Sequence, residues 1–355
     1  MTTPQRPLRV VQWGTGNVGR HALRAVLSRT DLELVGCYVT NPAKAGRDVG
    51  ELLDRPAVGV RCTDRISDVL EAEADCVLHM PLPSKQVADD PELDTTHLCA
   101  LLASGKNVIT TVGYVYPKAY GADVLARLRD ACTVGHVSLH GTGVNPGFMA
   151  DLVPLVLSGL CERVDRVHVR EASEFSRYPS PEIILGMMGF GKTPAEYEAH
   201  TGRYRRWLSG LFEESVHLVA DGLAMPIDRV AVDEEVLLAE VDLQLAAGPV
   251  PEGTVAGQRW VWSGMVGDTT VVELEAIYRA HPTVGAHWAG SGWYTRIDGR
   301  PPITLELERW LGNGLLGTAM HAVNAVPAVC AAPSGIRTFL DLPVILGRWG
   351  GRHRS

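Results

Sequence analysis

The 355-residue chain has no run of lysine or arginine, and its net charge is −8. That balance argues against a nucleic-acid partner. Its seven cysteines (Cys37, Cys62, Cys76, Cys99, Cys132, Cys161 and Cys330) include no Cys-x-x-Cys pair, and no histidine–cysteine cluster has metal-ligand spacing. Most of them fall in apolar stretches, so buried free thiols and no metal are expected. No uninterrupted apolar stretch is long enough to span a bilayer. Met1 to Leu8 is polar and lacks the apolar core of a secretory leader. The expectation is a cytoplasmic protein that uses neither membrane nor metal. With 46% hydrophobic and 21% charged residues the composition is that of an ordinary globular chain, with room for two domains.

What the chain does have begins at residue 9. A short apolar strand, Val10 to Trp13, runs into Gly14-Thr15-Gly16-Asn17-Val18-Gly19, and a helical pattern follows (His21, Ala22, Ala25, Val26). Gly14 suits the tight turn, Gly16 lets the backbone approach a pyrophosphate, and Gly19 lets the helix pack close to the strand. The helix N-terminus offers unpaired N–H groups and a positive dipole end to the anion. A second strand, Glu33 to Val39, completes the strand–helix–strand unit. These residues predict dinucleotide binding, with a purely structural glycine turn as the alternative.

NAD sites place an acid at the end of the second strand, where it accepts from the ribose 2′-hydroxyl. This chain reads Cys37-Tyr-Val-Thr40-Asn41-Pro-Ala-Lys44, then Arg47, with no acid at the strand end. Thr40, Asn41, Lys44 and Arg47 supply donors and positive charge suited to a 2′-phosphate. NADP is therefore favoured, with NAD or dual use as the alternative, and Lys44 and Arg47 could instead only solvate a loop.

Residues 1–146 alternate strand and helix. Strands are expected at Gly59 to Cys62, Asp75 to Met80, Asn107 to Thr111 and His136 to His140, with helices at Arg65 to Ala72, Asp94 to Ser104 and Gly121 to Cys132. Repeated units of this length imply a doubly wound parallel sheet, an α/β Rossmann domain. Ligands bind at the carboxyl ends of its strands, which points to Thr40, Met80 with Pro81, Thr111 to Tyr114 including Gly113, and His140 to Asn145. Residues 147–312 read as an α+β substrate and dimerisation domain: an apolar helix (Phe148 to Leu160), a strand (Val164 to Ala172), helices to about Asp221, then alternating strands from Arg229 to Glu308 forming a mostly antiparallel sheet. Trp260, Trp262, Trp288, Trp293 and Tyr294 there are equally suited to core or interface. In 313–345 a small-residue helix, Leu315 to Ala332, kinked by Pro327 and ended by Pro333-Ser-Gly335, returns to the nucleotide domain. Residues 346–355 read as a basic solvated tail.

Several segments together resemble a known group: the glycine loop, Asn107-Val-Ile-Thr-Thr, Gly141-Thr-Gly-Val-Asn-Pro-Gly-Phe-Met-Ala-Asp, Tyr178-Pro-Ser-Pro-Glu, Met188-Gly-Phe-Gly and Ala322-Val-Asn-Ala-Val-Pro. They are similar to the dihydrodipicolinate-reductase-like oxidoreductases of the 2,4-diaminopentanoate dehydrogenase and native amine dehydrogenase type. The resemblance spans nearly the whole chain. It implies a Rossmann domain, an α+β substrate domain, a homodimer, and hydride exchange between NAD(P)H and a small carbonyl, imine or amine. Two departures stand out. The His-His-Arg run and catalytic lysine of true dihydrodipicolinate reductases are missing between 150 and 310, which argues against lysine biosynthesis. Amine dehydrogenases of this group place a glutamate just after the strand corresponding to Asn107–Thr111. Here Thr111-Val-Gly-Tyr114-Val-Tyr116-Pro puts a tyrosine there, which puts amine formation in doubt.

Hydride transfer belongs to the cofactor, so the chain must orient the substrate and manage a proton. Tyr114 is a candidate proton or hydrogen-bond donor, or an aromatic wall. The Asn145 amide suits a substrate oxygen or the nicotinamide carboxamide, with an N-cap role as the alternative. Glu174, with Glu171 nearby, is the nearest carboxylate to stand in for the absent acid, with surface ion pairing as the bland reading. Tyr116, His140, Tyr178, His321 and Asn324 are candidate substrate contacts. For His140 a hydrogen-bonded structural role competes with proton relay, and His321 and Asn324 share one helix face that could equally serve packing. A non-catalytic NAD(P)-binding sensor is the competing reading of the whole chain.

Overall fold

The computed structural model describes residues 6–307 and 314–349, so the end of the basic tail lies outside the described residues. The chain divides into two compact units, one of residues up to Phe148 and from Asn313 onward, the other Met149–Gly312.

In the first unit, strands β1 (Leu8–Trp13), β2 (Leu32–Tyr38), β3 (Cys62–Thr63), β4 (Cys76–His79), β5 (Asn107–Thr110), β6 (Ser138–Gly141) and β15 (Gly335–Ile336) form one sheet in the order β15-β6-β5-β4-β1-β2-β3. Every pairing is parallel. The chain winds outward from β1 in one direction and from β4 in the other, which puts the switch point between them. The connecting helices are α1 (Asn17–Leu27), α2 (Val49–Leu52), α3 (Ile66–Glu71), α4 (Ser84–Val87), α5 (Leu93–Ala103) and α6 (Ala122–Gly135). Alternation along β1 sends Val10 to one core layer and Val11 and Trp13 to the other, as the strand period of two requires. Helix α10 (Gly314–Ala331) joins the Val10 layer through Ala319, Ala322, Val323, Ala325, Val326 and Val329, small side chains that let it lie close to α1 and the sheet. Its apolarity is thus that of a core helix.

The second unit holds α7 (Val153–Ser158), α8 (Pro194–His200), α9 (Gly202–Gly222) and strands β7 (Arg163–Glu174), β8 (Arg229–Leu238), β9 (Leu243–Leu245), β10 (Gly248–Val250), β11 (Val255–Val266), β12 (Thr269–Arg279), β13 (Gly292–Arg300) and β14 (Ile303–Leu307). Six of these strands form a sheet in the order β14-β13-β7-β12-β11-β8. It is antiparallel except that β7 and β12 run parallel at its centre. The expected helix from Phe148 is shorter than the sequence suggests. Asn145, Pro146 and Gly147 are non-helical, and regular helix begins only at Val153. Pro146 brings no N–H, and Gly147 takes φ +126°, so the chain there serves as a shaped loop. Within this chain Trp260, Trp262, Trp288 and Trp293 are all buried, Trp262 completely. All seven cysteines are free thiols, four buried and three half-buried.

Candidate active site

The glycine loop closes β1 and opens α1. Gly14 has φ +94°, and a Cβ there would sit 2.6 Å from the Met80 carbonyl oxygen. The turn therefore excludes any side chain, and the backbone of Met80 and Pro81 abuts it, while the Met80 side chain itself is buried in the core. A Cβ on Gly19 would strike the Gly14 carbonyl at 2.1 Å, whereas one on Gly16 would meet nothing within 4 Å. One glycine makes the turn, one makes the helix contact, and the middle one fronts open space. Gly16 caps α1 without a side-chain bond, and no acid stands in the first turn. The first helical N–H groups around Asn17 and Val18 thus suit an anion. Beneath the loop, buried Gln12 donates from Nε2 to the Gly14 carbonyl at 3.0 Å.

After β2 the chain reaches exposed Thr40 and Asn41, whose side chain accepts from the Ala43 N–H at 3.0 Å and caps a short turn. That turn carries Lys44 back to the glycine loop. Its ammonium donates to Thr15 Oγ1 at 3.2 Å and to the Thr15 carbonyl at 3.4 Å. Arg47, by contrast, is exposed and paired with Glu51 at 3.4 Å. These residues fit a nicotinamide dinucleotide: a side-chain-free loop, a helix N-terminus and one cation held at the loop's edge.

At the ends of β5 and β6 the geometry departs from expectation. Thr111 donates its N–H to the His79 carbonyl at 3.1 Å, and Gly113 (φ +112°) leads into Tyr114. Tyr114 takes φ +59°, a left-handed conformation unusual for a bulky side chain. Its phenol is 2% exposed, lies 2.8 Å from Thr95 Oγ1 on α5, and stacks on Tyr120 at 4.7 Å between ring centroids. The Lys85 ammonium covers the other partner of that stack, 4.0 Å from the Tyr120 ring centre. The ring is thus turned toward the core beside Thr95. Tyr116 is buried as well, with Lys118 5.9 Å from its ring centre.

Beyond β6, helix α10 braces the loop that bears Asn145. Val144 donates its N–H to Thr318 Oγ1 at 3.2 Å, and Thr142 Oγ1 lies 2.6 Å from His321 Nδ1. His140, fully buried, has Nδ1 2.7 Å from the Arg337 carbonyl, so that nitrogen carries the proton. Burial pushes the His140 pKa down to about 4, against the opposing pull of the Arg337 carbonyl and Asp341. Burial and then the neighbouring His140 push His321 to about 4. At β4, burial and His97 push His79 to about 3, and its Nδ1 meets Thr110 Oγ1 at 3.0 Å. These imidazoles are neutral at neutral pH.

Asn324 does not join the site. It accepts from Arg29 at 3.0 Å, beside the start of β2, because α10 runs antiparallel to the strands and carries it away from their carboxyl ends. His321 and Asn324, one turn apart, therefore serve opposite edges of the sheet. In the second unit, Glu174 accepts from the Ser176 N–H at 2.5 Å, and Tyr178 packs on Phe175 at 6.1 Å between centroids. Sequence reading missed Thr95, Lys85, Tyr120 and Thr318. Each meets its partner across a sequence gap that leaves no local pattern, although Pro117 and Gly121 do mark the turn that bears Tyr120.

A family profile described as the 2,4-diaminopentanoate dehydrogenase C-terminal domain matches residues 148–353, and one described as dihydrodipicolinate reductase, N-terminus, matches residues 8–110. An amine dehydrogenase from Streptomyces virginiae is 31% identical over 96% of this chain and 98% of that protein. A 2,4-diaminopentanoate dehydrogenase from Acetoanaerobium sticklandii is 28% identical over 67% of each. The fold is also that of an amine dehydrogenase from Mycobacterium smegmatis, with a TM-score of 0.78 and 22% identity over 96% of this chain and 97% of that one. With its glycine loop, doubly wound sheet and appended α+β unit, the chain belongs to the 2,4-diaminopentanoate and amine dehydrogenase family and is an NAD(P)-dependent oxidoreductase.

Proposed function

We propose that this oxidoreductase prefers NADP(H) and acts on a small carbonyl or a ready-made imine, not on a carbonyl that it aminates itself. The observation that carries this reading is Tyr114. Where the family resemblance leads one to expect a carboxylate that handles ammonia, a phenol is buried against Thr95. The cofactor preference is supported by Lys44, held against Thr15 beside a strand end that lacks an acid.

When bound, the nicotinamide cofactor supplies or takes up a hydride. In this reading Gly14, Thr15, Gly16, Asn17, Val18 and Gly19 hold its pyrophosphate, Lys44 with Thr40 and Asn41 the 2′-phosphate, and Met80, Pro81, Thr111 and Gly113 border it. The Asn145 amide orients the carboxamide or a substrate oxygen. Thr318 and His321 hold the Asn145 loop without touching substrate, and His140 anchors Arg337. Tyr116 supplies an apolar wall. Within the second unit, Tyr178 is a candidate substrate contact that packs on Phe175, and Glu174 fixes its own turn through Ser176. A homodimer in the cytoplasm completes the reading. It is supported by the free thiols and by a sheet face in the second unit that presents Arg166, Glu273 and Arg296. Light scattering on the purified protein checks the dimer.

The test follows oxidation of NADPH and of NADH against a panel of ketones, aldehydes and cyclic imines, each with and without excess ammonium. Oxidation independent of ammonium and faster with NADPH is the expected result. Ammonium-dependent turnover, with amine as the product, overturns the substrate assignment and favours amine dehydrogenase activity, as named for the Streptomyces virginiae relative.

A further inference from the structure

Four of the seven cysteines meet in two pairs that no spacing in the sequence announces. Cys37 on β2 and Cys62 on β3 are direct register partners. Cys76 on β4 and Cys330 on α10, 254 residues apart (330 minus 76), pack in one core layer. The backbone sets the second pair side by side: Cys330 Sγ lies 3.8 Å from the carbonyl oxygen of Asp75, the residue before Cys76, and Cys76 Sγ lies 3.8 Å from that of Val77. Both sulfurs therefore lie along the same short stretch of β4.

The pairs differ in access. Cys37 and Cys62 are 1% and 4% exposed, sealed between strands. Cys76 is fully buried, but Cys330 is half-buried and lines a cavity of about 380 Å³ with Arg6, Asp31, Pro327 and Arg348. A small polar oxidant can enter that cavity and reach Cys330, with Cys76 in the core layer on which Cys330 packs. This is the arrangement of an accessible thiol with a resolving partner.

We propose that Cys330 and Cys76 form a peroxide-sensitive dithiol that staples α10 to the central strand β4. The Cys330 sulfur attacks one peroxide oxygen. The O–O bond breaks, one water leaves and Cys330 becomes a sulfenic acid. The Cys76 sulfur then attacks the Cys330 sulfur, the S–O bond breaks and a second water leaves. Two thiols are oxidised to one disulfide and hydrogen peroxide is reduced to two waters. The staple holds the end of α10 opposite to Thr318 and His321, and so fixes the helix that braces the Asn145 loop.

The test treats the full-length protein with a modest excess of hydrogen peroxide, blocks remaining thiols with an alkylating agent, and maps peptides by mass spectrometry without reduction. The expected result is a linked peptide joining Cys76 to Cys330, absent from Cys330→Ser and removed by dithiothreitol. The oxidised wild type should also melt at least about 5 °C higher than the reduced form, as a cross-link closing so long a loop predicts. Cys330 found as a sulfinic acid with Cys76 alkylated overturns the proposal, and so does a link between Cys37 and Cys62 in its place. Cys76→Ala, if it folds, should leave Cys330 trapped as a sulfenic acid that dimedone captures. Dimedone-negative Cys330 in that variant counts against the mechanism.

Discussion

The two units treat ionisable groups in opposite ways. The nucleotide unit buries His79, His140 and His321 and suppresses their charge. The second unit spreads charge over one face of its sheet. There Arg166 pairs with Glu273 at 2.8 Å, His168 lies between Glu273 and Glu275 at 3.6 and 3.4 Å, and Arg259 reaches Glu275 at 2.6 Å. Burial pushing the Glu275 carboxyl up is outweighed by His168 and Arg259, which hold it below the usual range. In the first unit the polar groups hold loops still, and their neutral state is a condition of the fold. In the second they answer one another across strands and remain partly wet, so each pair contributes little and is screened by salt.

The largest effect that sharpens this contrast should come from the glycine loop. Gly14→Val places side-chain atoms against the Met80 carbonyl at a left-handed φ and should abolish detectable NADPH binding in a fluorescence titration. A variant that still bound would mean the loop does not seat the cofactor. Acid is next. The folded-state pKa values of the three histidines lie at about 3 to 4, below the ordinary 6.5. As pH falls below 6.5 the unfolded chain takes up protons that the folded chain refuses, so stability is complete above 6.5 and declines steadily toward pH 4. Hydrogen exchange over that window should show β4, β6 and α10 loosening before the β7–β12–β11 sheet. Simultaneous loosening would erase the distinction between the units.

Lys44→Ala should raise the Kd for NADPH by about tenfold, the loss of one charge-assisted contact, and leave that for NADH almost unchanged. Equal losses would make Lys44 a brace for Thr15 and no reader of the 2′-phosphate. On the charged face, Glu275→Gln should cost about 1 kcal/mol in low salt and less in high salt, read from urea midpoints. Smallest of all, Glu174→Gln should change kcat/KM by less than about threefold, since its bond to the Ser176 N–H survives the exchange. A loss of about a hundredfold would return Glu174 to the chemistry.

The parts of the molecule that could be read in advance are those whose causes are local. The glycine loop declares itself within eleven residues because each glycine answers a steric demand of its own turn. The parallel order of the first sheet follows from the repeated strand–helix spacing. What could not be read depends on partners far apart in the chain. Thr142 meets His321 across 179 residues and Ser138 meets Pro333 across 195, and no periodicity encodes either contact. The aim of Tyr114 was hidden for another reason. A tyrosine after a strand is expected to point outward into the ligand crevice, but φ +59° swings this one back toward Thr95. Asn324 looked like a neighbour of His321 on one helix face, yet the direction of α10 separates their destinations. The parallel pairing of β7 with β12 was equally silent, because alternation predicts strands and not the sense in which they pair.

Helix α10 also decides when the first unit is complete during synthesis. The chain emerges from the ribosome with its glycine loop first, but the helix that covers Val10 and α1 is encoded after the whole second unit. A nascent chain that has made all of β1 to β6 still exposes the apolar surface that Ala319, Val323 and Val326 later cover. The nucleotide half, although first to be translated, is the last to close, and a ribosome that stalls before residue 314 leaves a sticky, open sheet for chaperones to hold.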